Sequence, residues 1–418
     1  MKDNKINSQK YKYSIILFTL TLLTYGVLST STPDTITYVE IFIGLSLLVI
    51  VGLEGVIELL KSNNKNNSQF ILVPQIVKLS FLYLVFIPTF SGLIIEDNSS
   101  KNWLRDLIPL LYLFLPILMI QKINHIPKIL FLTSIFSLCF IGILFSFRFY
   151  LEATGGIGDI GKIQIIGTNK DNIMTDPAPQ FLLSFTSCFS IWLLLRGKFL
   201  YGLILILISF IPWSVTFASI NRGPAFFTFI SMIILIFYWF LKNKNRKIGL
   251  LILILIPLFM INYTKEFIEV INDSINLLIL KNETYGFNTR DTELDIVLHS
   301  LDTNIFYFFF GHGWGSLIEI PNIAILRNLH NIFLYFTYKT GILGLLSILV
   351  YFIWIIRFMF LIGFQNKFLS IVLISLINPL LYTALLQPMY KSLTFGILLL
   401  LIPLMYNLRK NNEFNNYV

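Results

Sequence analysis

Apolar residues run through this chain in long blocks separated by short charged loops. Blocks long enough to cross a hydrocarbon core of roughly 30 Å, which takes about 20 helical residues, lie near 13–31, 38–60, 71–95, 107–120, 129–147, 179–195, 199–213, 224–241, 248–263, 341–363, 368–387 and 393–406. The pattern predicts an all-α polytopic membrane protein with about 12 transmembrane helices. One long polar interruption, about 264–340, divides it. Nine predicted spans fill 1–263, a large extracytoplasmic helical loop with amphipathic helices fills 264–340, and three spans with a tail fill 341–418.

Composition agrees with that pattern. The chain is 56% hydrophobic and 13% charged with a mean hydropathy of +0.77, whereas water-soluble domains carry about 25% charged residues. Lys and Arg collect in short cytoplasmic loops, and 18 of the 31 basic residues fall on the side that carries the N-terminus: Lys2, Lys5, Lys10, Lys12, Lys61, Lys65, Lys122, Lys128, Arg196, Lys198, Lys242, Lys244, Arg246, Lys247, Arg357, Lys367, Arg409 and Lys410. Both termini are therefore expected in the cytoplasm. The net charge of +9 is mostly this topology signal and gives no reason to invoke nucleic acid. Lys78 falls inside a predicted span; since 79–95 alone is long enough to cross, it is expected to snorkel inward. The basic N-terminal stretch has no small-residue cleavage site after its apolar run and reads as an uncleaved anchor. Cys139 and Cys188 both fall within spans and read as packed thiols.

Three outward segments are long enough to matter. The first, 96–106, is short and mixed in charge. The second, 148–178, holds Gly155, Gly156, Gly158 and Gly161, but no strand precedes them and no Lys-Ser/Thr pair follows, so a phosphate-cradling loop is not indicated. The third carries the candidate chemistry. Asn288 and Thr289 are suited to N-cap a helix with Asp291, Glu293 and Asp295 in its first turns. Leu294, Val297, Leu298 and Leu301 then follow at the spacing of one apolar face. Arg290 lies four residues before Leu294 on that face; it either points toward a cavity at the membrane edge or pairs with Glu293 at i, i+3.

Beyond the glycine-spaced turn Gly311-His312-Gly313-Trp314-Gly315 comes His330-Asn331, followed by an apolar run to Thr340 too short to cross. The reading is a half-buried helix at the outer interface with His330 at its N-terminal end, where the helix dipole and any nearby arginine disfavour an imidazolium. Asn331 either orients that histidine or caps the helix, Arg327 either binds phosphate or faces solvent, and His312 is a turn-stabilising or supporting group. At Asn221-Arg222-Gly223-Pro224 a span opens with proline preorganising its first turn. The free N–H groups there favour an anion that Arg222 would strengthen, the alternative being a snorkelling topology marker.

Asn221-Arg222-Gly223, Thr289-Arg290, Gly311-x-Gly-x-Gly315, His330-Asn331 and Gly341-x-x-Gly344-Leu345, in this order and on one side of the membrane, resemble the bacterial O-antigen ligase and O-antigen polymerase superfamily. The resemblance covers about 220–350 in motif detail and the rest in the arrangement of spans. It implies a C-type, metal-independent glycosyltransferase without cofactor, acting at the extracytoplasmic face on an undecaprenyl-pyrophosphate-linked glycan. The acceptor would be a glycan or a lipid, with membrane lipids and other polysaccharide assembly proteins as further partners. Position by position, His330 would be the catalytic histidine and Arg222 and Arg290 the pyrophosphate-binding arginines. Arg327, Asn331 and Gly313 are further substrate-binding candidates from the residues themselves. Asp291-Thr292-Glu293-Leu294 departs from the apolar, tryptophan-containing stretch of many relatives, which makes Arg290 the weaker match.

The residues support that chemistry independently. Sugar transfer from a lipid pyrophosphate needs a base for the acceptor hydroxyl and positive charge for the leaving group; one imidazole and two guanidinium groups are of the right kind. No outward acidic cluster suggests a metal-dependent sugar-nucleotide enzyme. A flippase or transporter would place ionisable residues near the bilayer midplane, in broken helices related by a repeat, and a structural subunit of an assembly complex would show loss of export with intact polymerisation on deletion. Polymerase is preferred over ligase only slightly, since both use the same donor.

Overall fold

The computed structural model describes residues 11–29, 37–60, 71–154, 176–218, 222–242, 290–320, 324–363 and 366–411. Its helices are α1 (Lys12–Leu28), α2 (Tyr38–Leu60), α3 (Gln75–Phe90, continued by a π turn Ser91–Ile95), α4 (Ser100–Leu113), α5 (Leu115–Leu118), α6 (Ile120–His125), α7 (Pro127–Thr154), α8 (Pro177–Leu195), α9 (Phe199–Ala218) and α10 (Arg222–Lys242). After these come α11 (Arg290–Asp302), α12 (Ile305–Phe310), a two-stranded antiparallel hairpin of β1 (Ile318–Ile320) and β2 (Ala324–Leu326), α13 (Ile332–Ile362), α14 (Lys367–Leu386), a 3₁₀ turn Pro388–Lys391 and α15 (Leu393–Lys410). Among the described residues, eight helices are long and apolar enough to cross a membrane: α3 with its π turn, α7, α8, α9, α10, α13, α14 and α15. Two shorter apolar helices, α1 and the part of α2 before Gly52, accompany them. The architecture is that of a helical, multi-pass membrane protein; the predicted span at 248–263 lies outside the described residues, as do Gly155, Gly156, Gly158 and Gly161.

Position in the bundle follows from how each apolar helix is surrounded. α15 is enclosed on all sides, with Leu393, Ile397, Leu398, Leu400, Leu401 and Leu404 all at 0% exposure. By contrast α9 and α10 present Phe199, Leu207, Phe210, Phe226, Ile233 and Phe237 outward. Such a broad apolar exterior suits lipid and not water.

Breaks in the helices are closed by side chains from elsewhere, as a lipid-surrounded backbone demands. Pro88 cannot donate to Leu84 O four residues back, and Trp314 Nε1–H donates to that carbonyl at 2.8 Å instead. Gly52 kinks α2, and Lys122 Nζ caps the carbonyls of Ile50 and Val51 just before the kink. The block 107–120, expected as one crossing, is instead divided among α4, α5 and α6, with Pro109 and Pro116 in the run and turn-like backbone at Phe114 and Met119. Tyr351 OH donates to Leu113 O at 2.7 Å beside that break. Lys78 does not snorkel: it is 2% exposed, because it shares with Val77, Phe81 and Leu84 the side of α3 that faces the interior.

Candidate functional site

The segment 327–331 joins β2 to α13, and every one of its residues is held. Arg327 Nη2 donates to Asn102 Oδ1 on α4. Lys391 Nζ donates to Asn328 Oδ1 at 2.6 Å, and the neighbouring Tyr390 OH donates to Leu329 O at 3.0 Å. His330 turns to α11: its backbone N–H donates to Glu293 Oε2 at 3.0 Å, and its Nδ1 lies 2.5 Å from Glu293 Oε1. Asn331 is the N-cap of α13, its Oδ1 accepting from Phe333 N–H at 2.8 Å and Leu334 N–H at 3.4 Å. Of the two uses expected for Asn331, capping is the one its oxygen makes.

The Glu293–His330 pair is the chemical centre of this segment. Glu293 is 1% exposed and the imidazole 30% exposed. Glu293 Oε1 is the hydrogen-bond partner of Nδ1, and Nε2 lies on the half-exposed ring. An ion pair with Arg290 was one of the two readings open at position 293, and it turns on a side chain outside the described residues; both Glu293 oxygens reach His330, 37 residues along the chain. The electrostatics at the histidine thus include a buried carboxylate that the helix-dipole argument did not contain.

Beside the pair lies a buried charge cluster that sequence reasoning did not assemble. Asp106 on α4 receives Lys391 Nζ at Oδ1 (2.9 Å), and at Oδ2 it receives Lys339 Nζ (3.1 Å) and the Gly315 N–H (2.9 Å). Lys339 also donates to Ser316 O. Burial opposes the charge on Asp106, but the two ammonium groups and the Gly315 amide outweigh it and hold the carboxyl well below its usual range. Asp106, Lys339 and Lys391 each sit at the edge of an apolar block. That placement is the available signal, because an ionisable group there needs a partner.

The glycine turn packs against this cluster. Gly311, Gly313 and Gly315 all take positive φ (69°, 76° and 91°). A Cβ on Gly313 would lie 2.1 Å from Gly92 N, so this buried glycine serves the close approach of the turn to α3 and its π turn. His312 is stacked between Tyr307 and Tyr338, with ring centroids 4.2 and 4.7 Å away. Burial is the main cause of its lowered pKa; Glu96 opposes that shift and Lys339 adds to it.

Arg222 opens α10 and Arg290 opens α11, but their side chains lie outside the described part of the molecule, as do Asn221, Asn288 and Thr289. The backbone places Arg290 one turn before Glu293. A Cβ on Gly223 would lie 2.3 Å from the Tyr382 ring, so α10 begins in contact with α14. Of the apolar face expected on α11, Val297 and Leu301 are buried, whereas Leu294 and Leu298 are 45% and 56% exposed. Glu293, four residues before Val297, shares the buried side. Among the described residues no group of three or more His, Cys, Asp or Glu side chains could hold a metal ion. No protein-family model matches the chain, and no curated protein matches it.

Proposed function

We propose that this chain is a membrane glycosyltransferase that moves a glycan from an undecaprenyl-pyrophosphate donor to an acceptor hydroxyl at the extracytoplasmic face of the cytoplasmic membrane. The observation that carries the reading is the Glu293–His330 pair: a buried carboxylate fixing one ring nitrogen while the other stays free on an accessible ring. In the proposed step the acceptor oxygen attacks the anomeric carbon as the bond from that carbon to the pyrophosphate oxygen breaks. His330 Nε2 takes the hydroxyl proton, and the lipid pyrophosphate leaves with the bonding electrons. Arg222 and Arg290 are assigned to the departing charge, each able to offer a bidentate fork, and Arg327, in the same segment as the histidine, is the third candidate.

Transfer by purified protein, measured with a lipid-pyrophosphate-linked glycan, is the direct test. His330→Ala should lower turnover by about 10²–10⁴-fold; transfer at the wild-type rate would remove the histidine and the mechanism with it. Arg222→Lys and Arg290→Lys should also impair transfer while leaving the protein folded, since a point charge does not replace a planar fork. Polymerase is the preferred form of the activity and ligase the alternative. A deletion strain separates them on a gel of surface glycan: single repeats on the lipid core mark a polymerase, bare core with accumulated lipid-linked chains a ligase.

A further inference from the structure

We propose that Lys391, fixed by Asp106, is a positioning residue for His330 that acts through Asn328; this rests on the transfer reading above. The 3₁₀ turn Pro388–Lys391 supplies two consecutive anchors to the two residues preceding the histidine, Lys391 to Asn328 Oδ1 (2.6 Å) and Tyr390 to Leu329 O (3.0 Å). Glu293 orients the ring, but it does not set where residues 327–329 run. The Lys391 side chain is 13% exposed and its ammonium has defined partners: Asp106 Oδ1 at 2.9 Å, the Asn328 oxygen, and the Tyr335 ring with its centroid 4.0 Å away. An ammonium so enclosed has little freedom, and it passes the position of α4 to the histidine segment. Buried ion pairs of this kind contribute little net stability and are better suited to fixing register.

The charge on Lys391 is finely balanced. Facing it are Asp106 from α4, Lys339 and Tyr335 from α13, and Arg327 from the histidine segment. Burial and the neighbouring cations Lys339 and Arg327 bring its pKa down to about 7, against the opposing pull of Asp106. The link to Asn328 is therefore charged below that pH and weakened above it.

The experiment uses the full chain in detergent, with turnover, donor KM and pH profile measured for Asn328→Ala, Lys391→Met and Lys391→Arg, and backbone hydrogen exchange across 327–331. Asn328→Ala leaves the Asp106–Lys391 pair intact, so it tests the link even if Lys391→Met fails to fold. We expect its kcat to fall by about tenfold or more with donor KM within about twofold, the signature of misplaced chemistry. Exchange across 327–331 should be faster while that of 393–410 is unchanged. Lys391→Arg, which stays charged, should keep activity and move the alkaline fall of the profile upward by at least about one pH unit. Wild-type kcat and exchange in Asn328→Ala would overturn the inference. If His330→Ala also transfers normally, the function itself fails; if only His330→Ala is inactive, the positioning role alone fails. Where no transfer is detected in the wild type, unchanged exchange in Asn328→Ala still overturns the link.

Discussion

Glu293 shows what one residue adds to a histidine. Both of its oxygens are on the His330 backbone and ring, and in the proposed transfer it would stabilise the imidazolium formed when Nε2 accepts the acceptor proton. Glu293→Gln keeps the volume but removes the charge, and turnover should fall by about 10–100-fold while the protein stays folded; a wild-type rate constant would show that the carboxylate is not needed. A second buried carboxylate, Asp176, acts on stability. It is 3% exposed and accepts from Ala178 N–H at 2.8 Å, Thr394 OH at 2.8 Å and Tyr25 OH at 2.9 Å. Burial outweighs those bonds and raises its pKa from 3.8 to about 6. The folded state then holds this proton more tightly than the unfolded chain, so stability is highest below the unfolded value and declines as pH rises through that window. The loss is on the order of 2–3 kcal/mol. The apparent Tm of the wild type should decline between pH 4 and 7, and Asp176→Asn should remove that part of the decline. The histidine and the helix bearing Glu293 were legible from local pattern, but their union was not: periodicity says which side of a helix is apolar, not which distant loop a carboxylate on that side will meet.

Among elements, the glycine turn and α13 meet backbone to backbone. Gly341 breaks α13 with φ 66°, and a Cβ there would lie 2.4 Å from Phe309 C and O; the reciprocal Cβ on Gly311 would lie 2.5 Å from Gly341 N. The two backbones touch, which is why the short helix before Gly341 can leave the line of the span that follows. Gly341→Ala combines a left-handed backbone with a collision against main chain. It should cost at least about 2 kcal/mol and lower the apparent Tm, whereas Gly363→Ala meets only Phe360 O at 3.8 Å, despite its own φ of 52°, and should be milder. Glycines at these positions announce a close approach in the sequence, and the start of a new helix after 340 was readable from them. The division of 107–120 was not, because hydropathy scores an apolar run alike whether it crosses lipid or bends inside protein. Pro116 stands two residues after the break at Phe114, and Tyr351 OH takes up the Leu113 carbonyl beside it. The hairpin β1–β2 also escaped notice, as two three-residue strands are too short to carry an alternating pattern.

For the whole molecule, the apolar blocks were enough to establish a helical, multi-pass protein, and the sidedness of its charges remains a claim about the membrane that a labelling experiment can decide. The Glu293–His330 pair, the Asp106 cluster and the starts of α13 and α15 gather at one end of the bundle, tied by Lys391–Asn328 and by Thr394–Asp176. Charge counting assigns that end to the extracytoplasmic side, since Lys198, Arg357, Lys367 and Arg409 lie at the other ends of the same helices. Two exposed positions test the assignment, Lys101 at the start of α4 and Arg357 near the end of α13. Cys139 and Cys188 are partly or fully buried and can first be replaced by serine to clear the background. A membrane-impermeant maleimide applied to intact cells, with the outer membrane opened where there is one, should then label Lys101→Cys at once and Arg357→Cys only after the cytoplasmic membrane is breached. The reverse pattern would turn the histidine toward the cytosol, where a donor already carried across the membrane could not reach it, and the proposed transfer would have no substrate on its own side.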